Sequence, residues 1–473
     1  MTRQFLAFFL LTAISTTALA QNTSRVYFDL NYDTEEAIAP ITVKTGCMIP
    51  LAAKQFPTRE GYRFGGWYTT PECLPEQEWR FGNNASFPLM PATDSMKVDK
   101  SMILYAKWVS PKPVRTAEDL DAIRKDLGGW YVLEEDIDLS GIDNWIPVGE
   151  YEGNYEFAPG EWWRYAFKGV LDGQGHTIRG LRITELTTDK SGLFGAVANG
   201  EIKNLNMVDS RLVFTAERPY VAPLAGILKQ DDDQVCSVRN CAVTGTLIQV
   251  KTTNEDSTFH SFTGLCGGAW GGTIEGCTVS GKMDIDIAGT GGGELYVGPY
   301  LGEAYNDTRR CASDYDITLR FSKHQPESGF KAYIGGFQSS ATNLDACSAS
   351  GRIRVSGETG GKQLFIGGLI GSERYGTVNA CSSNVKIEVS DTGFAQVGGI
   401  VGEFNEGYGA IGSAFGVRTT VVKQCAYTGK PKFRKVAEPV FGQISGGGDP
   451  KPLASPWGLS MGYQIENCSY KTK

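Results

Sequence analysis

An aliphatic residue three places ahead of a cysteine recurs down the C-terminal part of this chain, and no other feature limits its fold as sharply. The step reads Val238 to Cys241, Ile274 to Cys277, Leu344 to Cys347, Val378 to Cys381, Val422 to Cys425 and Ile465 to Cys468. Cys311 falls in phase after Arg309 and Arg310, and Leu205 holds the slot after Ile202. Successive positions are 34 to 36 residues apart as far as Cys381, then 44 and 43. A period in this range means a solenoid or a propeller. Segments such as Ile353-Arg-Val355 and Lys386-Ile-Glu-Val389 alternate apolar with polar residues and are too short for helices, so the copies are stacked strands. A propeller blade needs four strands in about 40 to 50 residues, and these copies show about three. Each copy is therefore read as one coil of a parallel β-helix, with its Val, Ile, Leu and Cys positions pointing inward. A buried aliphatic contributes roughly 1.5–3 kcal/mol, too little for one coil to offset its ordering entropy, so the coils form only as a stack.

Eleven cysteines raise the question of disulfides. Equivalent positions on successive coils lie about 4.8 Å apart with parallel side-chain directions, whereas bridged Cβ atoms sit about 3.8 Å apart and face each other. Cys241, Cys277, Cys311, Cys347, Cys381, Cys425 and Cys468 are accordingly read as an unbridged inward column of small apolar fillers. A metal stack fits less well, because ligands of one ion converge on a point rather than stand in line. Cys47, Cys73, Cys236 and Cys266 lie off the column, and Cys47 with Cys73 is the pair that a disulfide could join within the first domain.

Residues 1–20 read as a signal peptide outside the fold. Arg3 supplies the positive start, Phe5 to Ala13 the apolar core, and Ala18-Leu19-Ala20 the small-x-small cleavage site. The expectation is an exported chain, whether secreted, periplasmic or on the cell surface. No later apolar stretch is long enough to span a bilayer. A formal net charge of −8 without a dense Lys/Arg run argues against a nucleic-acid partner.

Residues 25–109 follow a different pattern. Arg25 to Asp33 alternates as a strand, Pro57 to Cys73 reads PTREGYRFGGWYTTPEC, and Ser101 to Trp108 reads SMILYAKW. This stretch resembles the Listeria–Bacteroides repeat, also called the internalin B-type repeat. Pro57, Gly61, Tyr62, Phe64, Gly66, Trp67, Tyr68, Leu104, Tyr105, Ala106 and Trp108 all fall on its motif. The resemblance implies a small β-grasp-like module of secreted or surface proteins, a spacer or binding arm without catalytic residues. Trp67 and Trp108 are read as core, since a domain this small needs its aromatic rings inside.

Residues 110–115, opening on Ser110-Pro-Lys-Pro113, read as a short stiff linker. Thr116 with Asp119 then approximates a capping box, Leu120, Ile123 and Leu127 make one apolar face, and Gly128-Gly129 ends the helix. Its expected role is to cover the first coil, whose open strand edge would otherwise invite pairing. Over residues 116–473 the chain resembles proteins built from the GLUG motif. Phe167, Gly169, Asp172, Gly173, Gly175, His176 and Ile178 match F-x-G-x-x-D-G-x-G-H-x-I, and Gly192-Leu-Phe-Gly195 followed by Ile202-Lys-Asn-Leu205 matches the repeat. The resemblance implies a right-handed parallel β-helix on an exported, often adhesin-like bacterial protein. The chain is thus expected to be all-β, a β-grasp-like module followed by a β-helix with a short capping helix.

Few residues suggest chemistry. Asp172 and His176 are the tempting acid–base pair, but Asp172-Gly173 and Gln174-Gly175 read as a turn in which the aspartate bonds nearby backbone. The run Gln230 to Gln234 lacks the ligand and glycine spacing of an EF-hand loop, so no metal or cofactor is expected. Trp145, Tyr151, Tyr155, Trp162, Trp163 and Tyr165 crowd into and beside one insertion. Aromatic faces of this kind stack on sugar rings or partner side chains, or else pack the insertion onto the helix cap. The resulting reading is a non-enzymatic, adhesin-like protein that recognises an extracellular glycan or protein. One alternative is a carbohydrate-active β-helix enzyme, a polysaccharide lyase or glycoside hydrolase, which would show carboxylates lining a groove on one solvent-facing sheet. The other is a passive surface stalk.

Overall fold

The computed structural model describes residues 22–472 except 80, 83–95, 151–164, 216–219, 231–234, 253–257, 289–292, 323–330, 358–362, 374–375, 405–419, 447–452, 455–459 and 462. The residues read as a signal peptide lie outside this set. The chain divides into two compact units, 1–110 and 111–473. No helix among the described residues is long and apolar enough to cross a membrane.

The first unit holds β1 (Thr23–Asp29), β2 (Ile38–Lys44), β3 (Cys47–Met48), β4 (Arg63–Tyr68), β5 (Lys97–Val98) and β6 (Met102–Val109). Its main sheet runs β2-β1-β6-β4, with β1 parallel to β6 at the centre and antiparallel pairs outside, as a β-grasp-like module requires. Strand alternation buries Val26 and Phe28 of β1 against Leu104 and Ala106 of β6. Trp67 is fully buried among them, its Nε1–H donating to the Gln55 carbonyl at 2.8 Å and its ring meeting Phe28 edge-on at 4.8 Å. Trp108 donates to the Leu30 carbonyl at 2.6 Å and packs against the same core. Asn31 takes a left-handed turn (φ 59°) and its amide donates to Pro71 and Ala106 carbonyls, tying the opening of the module to its closing strand.

The Cys47–Cys73 bridge does not form: both thiols are free. Cys47 lies exposed on β3, paired with Val98, while Cys73 is buried with its Sγ directed at the Pro71 and Ala106 carbonyls at 3.6 and 3.8 Å. One thiol is exposed on β3 and the other buried against backbone carbonyls, and proximity within one small domain does not supply the opposed geometry that a disulfide needs.

In the second unit the segment read as a linker is instead a strand. β7 (Pro111–Val114) pairs in parallel with β8 (Trp130–Leu133) and forms the edge of the first sheet. Glu134 N–H donates to the Val114 carbonyl at 3.1 Å, so Lys112 and Val114 direct their peptide groups at β8. Alternation then turns Pro111 and Pro113 to the free side, where a missing N–H deters any further strand. The prolines that suggest a linker are therefore an edge device. Behind them α1 (Ala117–Asp121) starts on a complete capping box, with Asp119 N–H donating to Thr116 Oγ1 and Thr116 N–H to the Asp119 carboxylate. Its Leu120, with Ile123 just beyond, is fully buried in the core of the first coils.

From there the strands stack as a parallel β-helix. The first sheet continues through Val170–Asp172, Glu201–Lys203 and Ser237–Arg239 to Tyr463–Glu466. One inward column runs through Tyr131, Leu171, Ile202, Val238, Ile274, Thr308, Leu344, Val378, Val422 and Ile465 in unbroken register. At the bend that follows, each coil from Ile202 onward sets one residue in the left-handed region: Asn204, Asn240, Gly276, Arg310, Ala346, Ala380, Gln424 and Asn467, at φ between 51° and 64°. Its N–H donates to the next coil, as from Ala346 to the Asn379 carbonyl at 3.0 Å. Asparagine and glycine tolerate this conformation, but a Cβ-bearing alanine is strained by roughly 1–2 kcal/mol. Replacing Ala346 and Ala380 by Asn is expected to raise stability by about 1 kcal/mol per site, seen as a higher urea midpoint at unchanged slope.

The cysteine column follows the bend. Cys241 N–H faces Cys277 Sγ at 3.5 Å, Cys277 N–H faces Cys311 Sγ at 3.4 Å, and Cys347 N–H faces Cys381 Sγ at 3.3 Å. All seven are free, and those from Cys241 to Cys425 are buried while Cys468 is half-buried. Off the column, burial pushes the Cys266 thiol well above its ordinary pKa. Within it, burial acts to raise every thiol from Cys277 to Cys425, and sulfurs so enclosed pack as small apolar groups. Long strands such as Ala312–Phe321 and Ser348–Gly357 form the second sheet. A short strand, a paired-glycine turn and a return strand, as in Lys331–Gly335, Gly336 and Gln338–Ala341, complete each coil.

Candidate functional site

The positions singled out in the sequence behave differently from one another. Tyr151, Tyr155, Trp162 and Trp163 lie outside the described residues. Trp145 is 3% exposed, its Nε1–H donates to the Leu193 carbonyl at 3.0 Å, and the Arg124 guanidinium stands 5.9 Å from its ring, so it packs inside rather than offering a face. Tyr165 is 44% exposed, and its carbonyl accepts from Glu150 N–H at the stem of the insertion. Asp172 Oδ1 accepts from Gln174 N–H and Asn204 Nδ2, both at 3.0 Å, across a turn with Gln174 and Gly175 at positive φ. His176 Nδ1 instead stands 3.4 Å from Asp136 Oδ1, which also accepts from Thr177 N–H at 2.8 Å. Asp172 thus serves its own turn and the Asn204 side chain of the next coil, while His176 faces Asp136 of the previous one, so the two engage different partners.

The outward face of the first sheet carries the richer chemistry. Residues that flank the inward aliphatic form two polar columns. One passes through Lys203, Arg239, Glu275, Arg309, Asp345, Asn379 and Lys423, and the other through Glu201, Ser237, Thr273, Asp307, Asn343 and Thr377. Opposite charges meet across the columns, with Glu201 accepting from Lys203 at 2.8 Å and Arg239 at 2.7 Å. Burial raises the Glu201 pKa, but these two cations outweigh it and hold the carboxyl below its ordinary value.

Farther along, the same face opens into a groove of about 410 Å³ lined by Asp307, Arg309, Asn343, Asp345, Asn379 and Lys423, among others. Asp307 accepts from Asn343 Nδ2 at 2.8 Å and from Arg309 at 3.0 Å, and Asp345 accepts from Asn379 Nδ2 at 2.6 Å. Amide–carboxylate pairs are thereby repeated on successive coils. A second groove of about 580 Å³ on the second sheet is lined mostly by hydroxyls, among them Thr278, Ser280, Ser348, Ser350 and Ser382, with Asp314. The sequence did carry a signal for the first groove: the triplets Asp307-Thr-Arg309, Asn343-Leu-Asp345 and Thr377-Val-Asn379 recur three residues ahead of the cysteine column. Their convergence depends on register, which the pattern alone does not display.

Residues 25–107 match the Listeria-Bacteroides repeat domain family. Such domains occur in exported proteins. None of the curated proteins matches the chain. Among solved structures, a candidate immunoglobulin A1 protease from Bacteroides ovatus is similar at 14% identity, covering 77% of this chain and 84% of that one with a TM-score of 0.36. A TM-score this low carries no structural or functional weight.

Proposed function

We propose that the chain is an exported, adhesin-like binding protein, secreted or held at the bacterial surface. Its β-helix takes an extended glycan or protein ligand along the Asp307–Lys423 groove without cleaving it. The carrying observation is the pair of amide–carboxylate contacts, Asn343 on Asp307 and Asn379 on Asp345. Each fixes planar donors and acceptors before a ligand arrives, which removes part of the ordering cost of binding. A hexose in an extended chain is about as long as the rise of one coil, so successive sugars would meet successive pairs. The repeat domain, the leader-like residues 1–20 and the GLUG-like coils all support export.

One observation favours a carbohydrate-active enzyme instead: Asp307 and Asp345 line the same solvent-facing groove, as acid–base cleavage of a glycosidic bond requires. Against it, Asp307 holds an amide on one oxygen and Arg309 on the other, and Asp345 holds an amide on Oδ1, so both carboxylates are tied into the sheet surface. The test is a panel of immobilised polysaccharides scored for retention and for new reducing ends. Retention of at least one polymer without cleavage is expected, weakened about tenfold by Asn343→Ala with Asn379→Ala. Chain cleavage that disappears in Asp307→Asn would replace this reading with the enzymatic one, and retention of nothing would leave a passive stalk.

A further inference from the structure

Opposite charges on the outward face of the first sheet are paired almost throughout, and the exceptions gather at the groove. In the column from Lys203 to Lys423, Lys203 and Arg239 both meet Glu201, and Arg309 meets Asp307 at 3.0 Å. Arg310 at the bend holds Glu275 in the same way. Among the described residues Lys423 forms no ion pair, and neither does Asp345. Both line the groove of about 410 Å³. Register sets Asp345 beside Asn379 and Asn379 beside Lys423, so carboxylate, amide and ammonium follow one another on three successive coils. Adjacent strands lie about 4.8 Å apart, which puts the two charged residues about 10 Å apart, too far to neutralise each other across water. Asn379 Nδ2 donates to Asp345 Oδ1 at 2.6 Å, and Asp345 Oδ2 keeps its lone pairs for an incoming donor. Beyond Lys423 the next coil brings Glu466 into register, exposed and outside any ion pair among the described residues.

We infer that this groove selects a glycan ending in a single acidic sugar, whose carboxylate lies on Lys423 while neutral sugars lie over Asn379 and Asp345. The inference rests on the groove being the binding site and adds its charge preference. Lys423 is half-buried, so an anion placed on it is screened less than one at an open surface. A neutral chain would cover this ammonium without pairing it. Hydroxyls of a neutral sugar donate to Asp345 Oδ2, a charge-assisted bond that a second carboxylate could not make. A chain acidic at every sugar would set like charges against Asp345 and Asp307. The groove therefore discriminates by attraction at one end and repulsion at the other. Glu466 repels any acid carried past Lys423, which places the acidic sugar at the end of the bound chain.

The experiment is calorimetric titration of the full chain near pH 7 with three trisaccharides of matched length: 3′-sialyllactose, acidic at one end; 3′-galactosyllactose, neutral; and trigalacturonate, acidic throughout. Sialyllactose is expected to bind about tenfold more tightly than the neutral sugar and about fivefold more tightly than trigalacturonate. Lys423→Gln brings sialyllactose down to the neutral sugar, whose own affinity stays within about twofold of wild type, and Lys423→Arg keeps the preference. Asp345→Asn retains the acceptor for Asn379 and removes the like charge, so trigalacturonate comes within about twofold of sialyllactose. That last result is a gain of binding, which a misfolded variant cannot imitate. Equal affinity for the acidic and neutral sugars, tightest binding of trigalacturonate, or a preference that survives Lys423→Gln overturns the inference. The groove itself would still stand in those cases if Asn343→Ala with Asn379→Ala weakens the neutral sugar. Binding of none of the three overturns the inference and the groove together.

Discussion

Gly368→Ala is expected to prevent the β-helix from closing its coils, at a cost above about 4 kcal/mol, the size that marks a backbone collision rather than a lost contact. A Cβ at Gly368 would overlap the Gly399 carbonyl oxygen of the next coil, one at Gly336 would overlap that of Gly368, and one at Gly399 that of Gln443. The next coil cannot retreat, because ladder bonds set its distance: Gly336 N–H donates to the Gly367 carbonyl, Gly368 N–H to Gly398 and Gly399 N–H to Gly442, at 3.0–3.1 Å. The first glycine of each pair is barred for a different reason, since a Cβ at Gly335, Gly367 or Gly398 would strike a carbonyl within its own turn. The control is Gly141→Ala, where nothing lies within 4 Å of the added carbon, and a change within about 0.5 kcal/mol is expected there. Urea unfolding followed by far-ultraviolet circular dichroism reads both. A cooperative Gly368→Ala transition at the wild-type midpoint would mean that the coils are not spaced by these glycines.

The same glycine pairs show why the architecture could be read from residues alone. A β-helix repeats its steric demands once per coil, so the sequence repeats them too, and Gly367-Gly368, the Ile-x-x-Cys step and the alternation in Lys386–Val389 all state one geometry. The first domain was equally plain, because Trp67 and Trp108, both on its motif, each hold a backbone carbonyl from inside the core. Composition misled where position mattered more. Pro111 and Pro113 look like a linker until register shows them guarding a sheet edge, and Cys47 with Cys73 looks like a bridge until one thiol is seen exposed and the other buried, both free. Trp145 drew attention as an aromatic near an insertion, yet its indole N–H is spent on Leu193 in the core. The polar groove was hidden because its members come from different coils. Only strand pairing brings Asp307 beside Asn343.

Cys347→Asp is expected to unfold the coil stack at neutral pH, while Cys347→Val is expected to cost less than about 1.5 kcal/mol. The thiol is 1% exposed, and its Sγ points at the Asp345 carbonyl at 3.3 Å and the Thr308 carbonyl at 3.6 Å. A thiol donates weakly to such oxygens, and an aliphatic group merely fills the space. An ionised carboxylate buried there would oppose both carbonyls, a penalty of about 3–5 kcal/mol for a buried charge without a counter-ion. The introduced carboxyl would therefore have a folded-state pKa above its unfolded value of about 3.9. Its sign follows from that: the folded state binds the extra proton, so the variant is least penalised below about pH 4 and loses stability as pH rises through the raised pKa. Denaturant midpoints of the two variants between pH 4 and pH 8 separate the explanations. A steep decline with pH for Asp beside a flat, near-native Val series identifies the column as apolar packing. A Val chain that fails as completely as the Asp chain would show that the stack depends on sulfur itself, through chemistry that side-chain volume cannot replace.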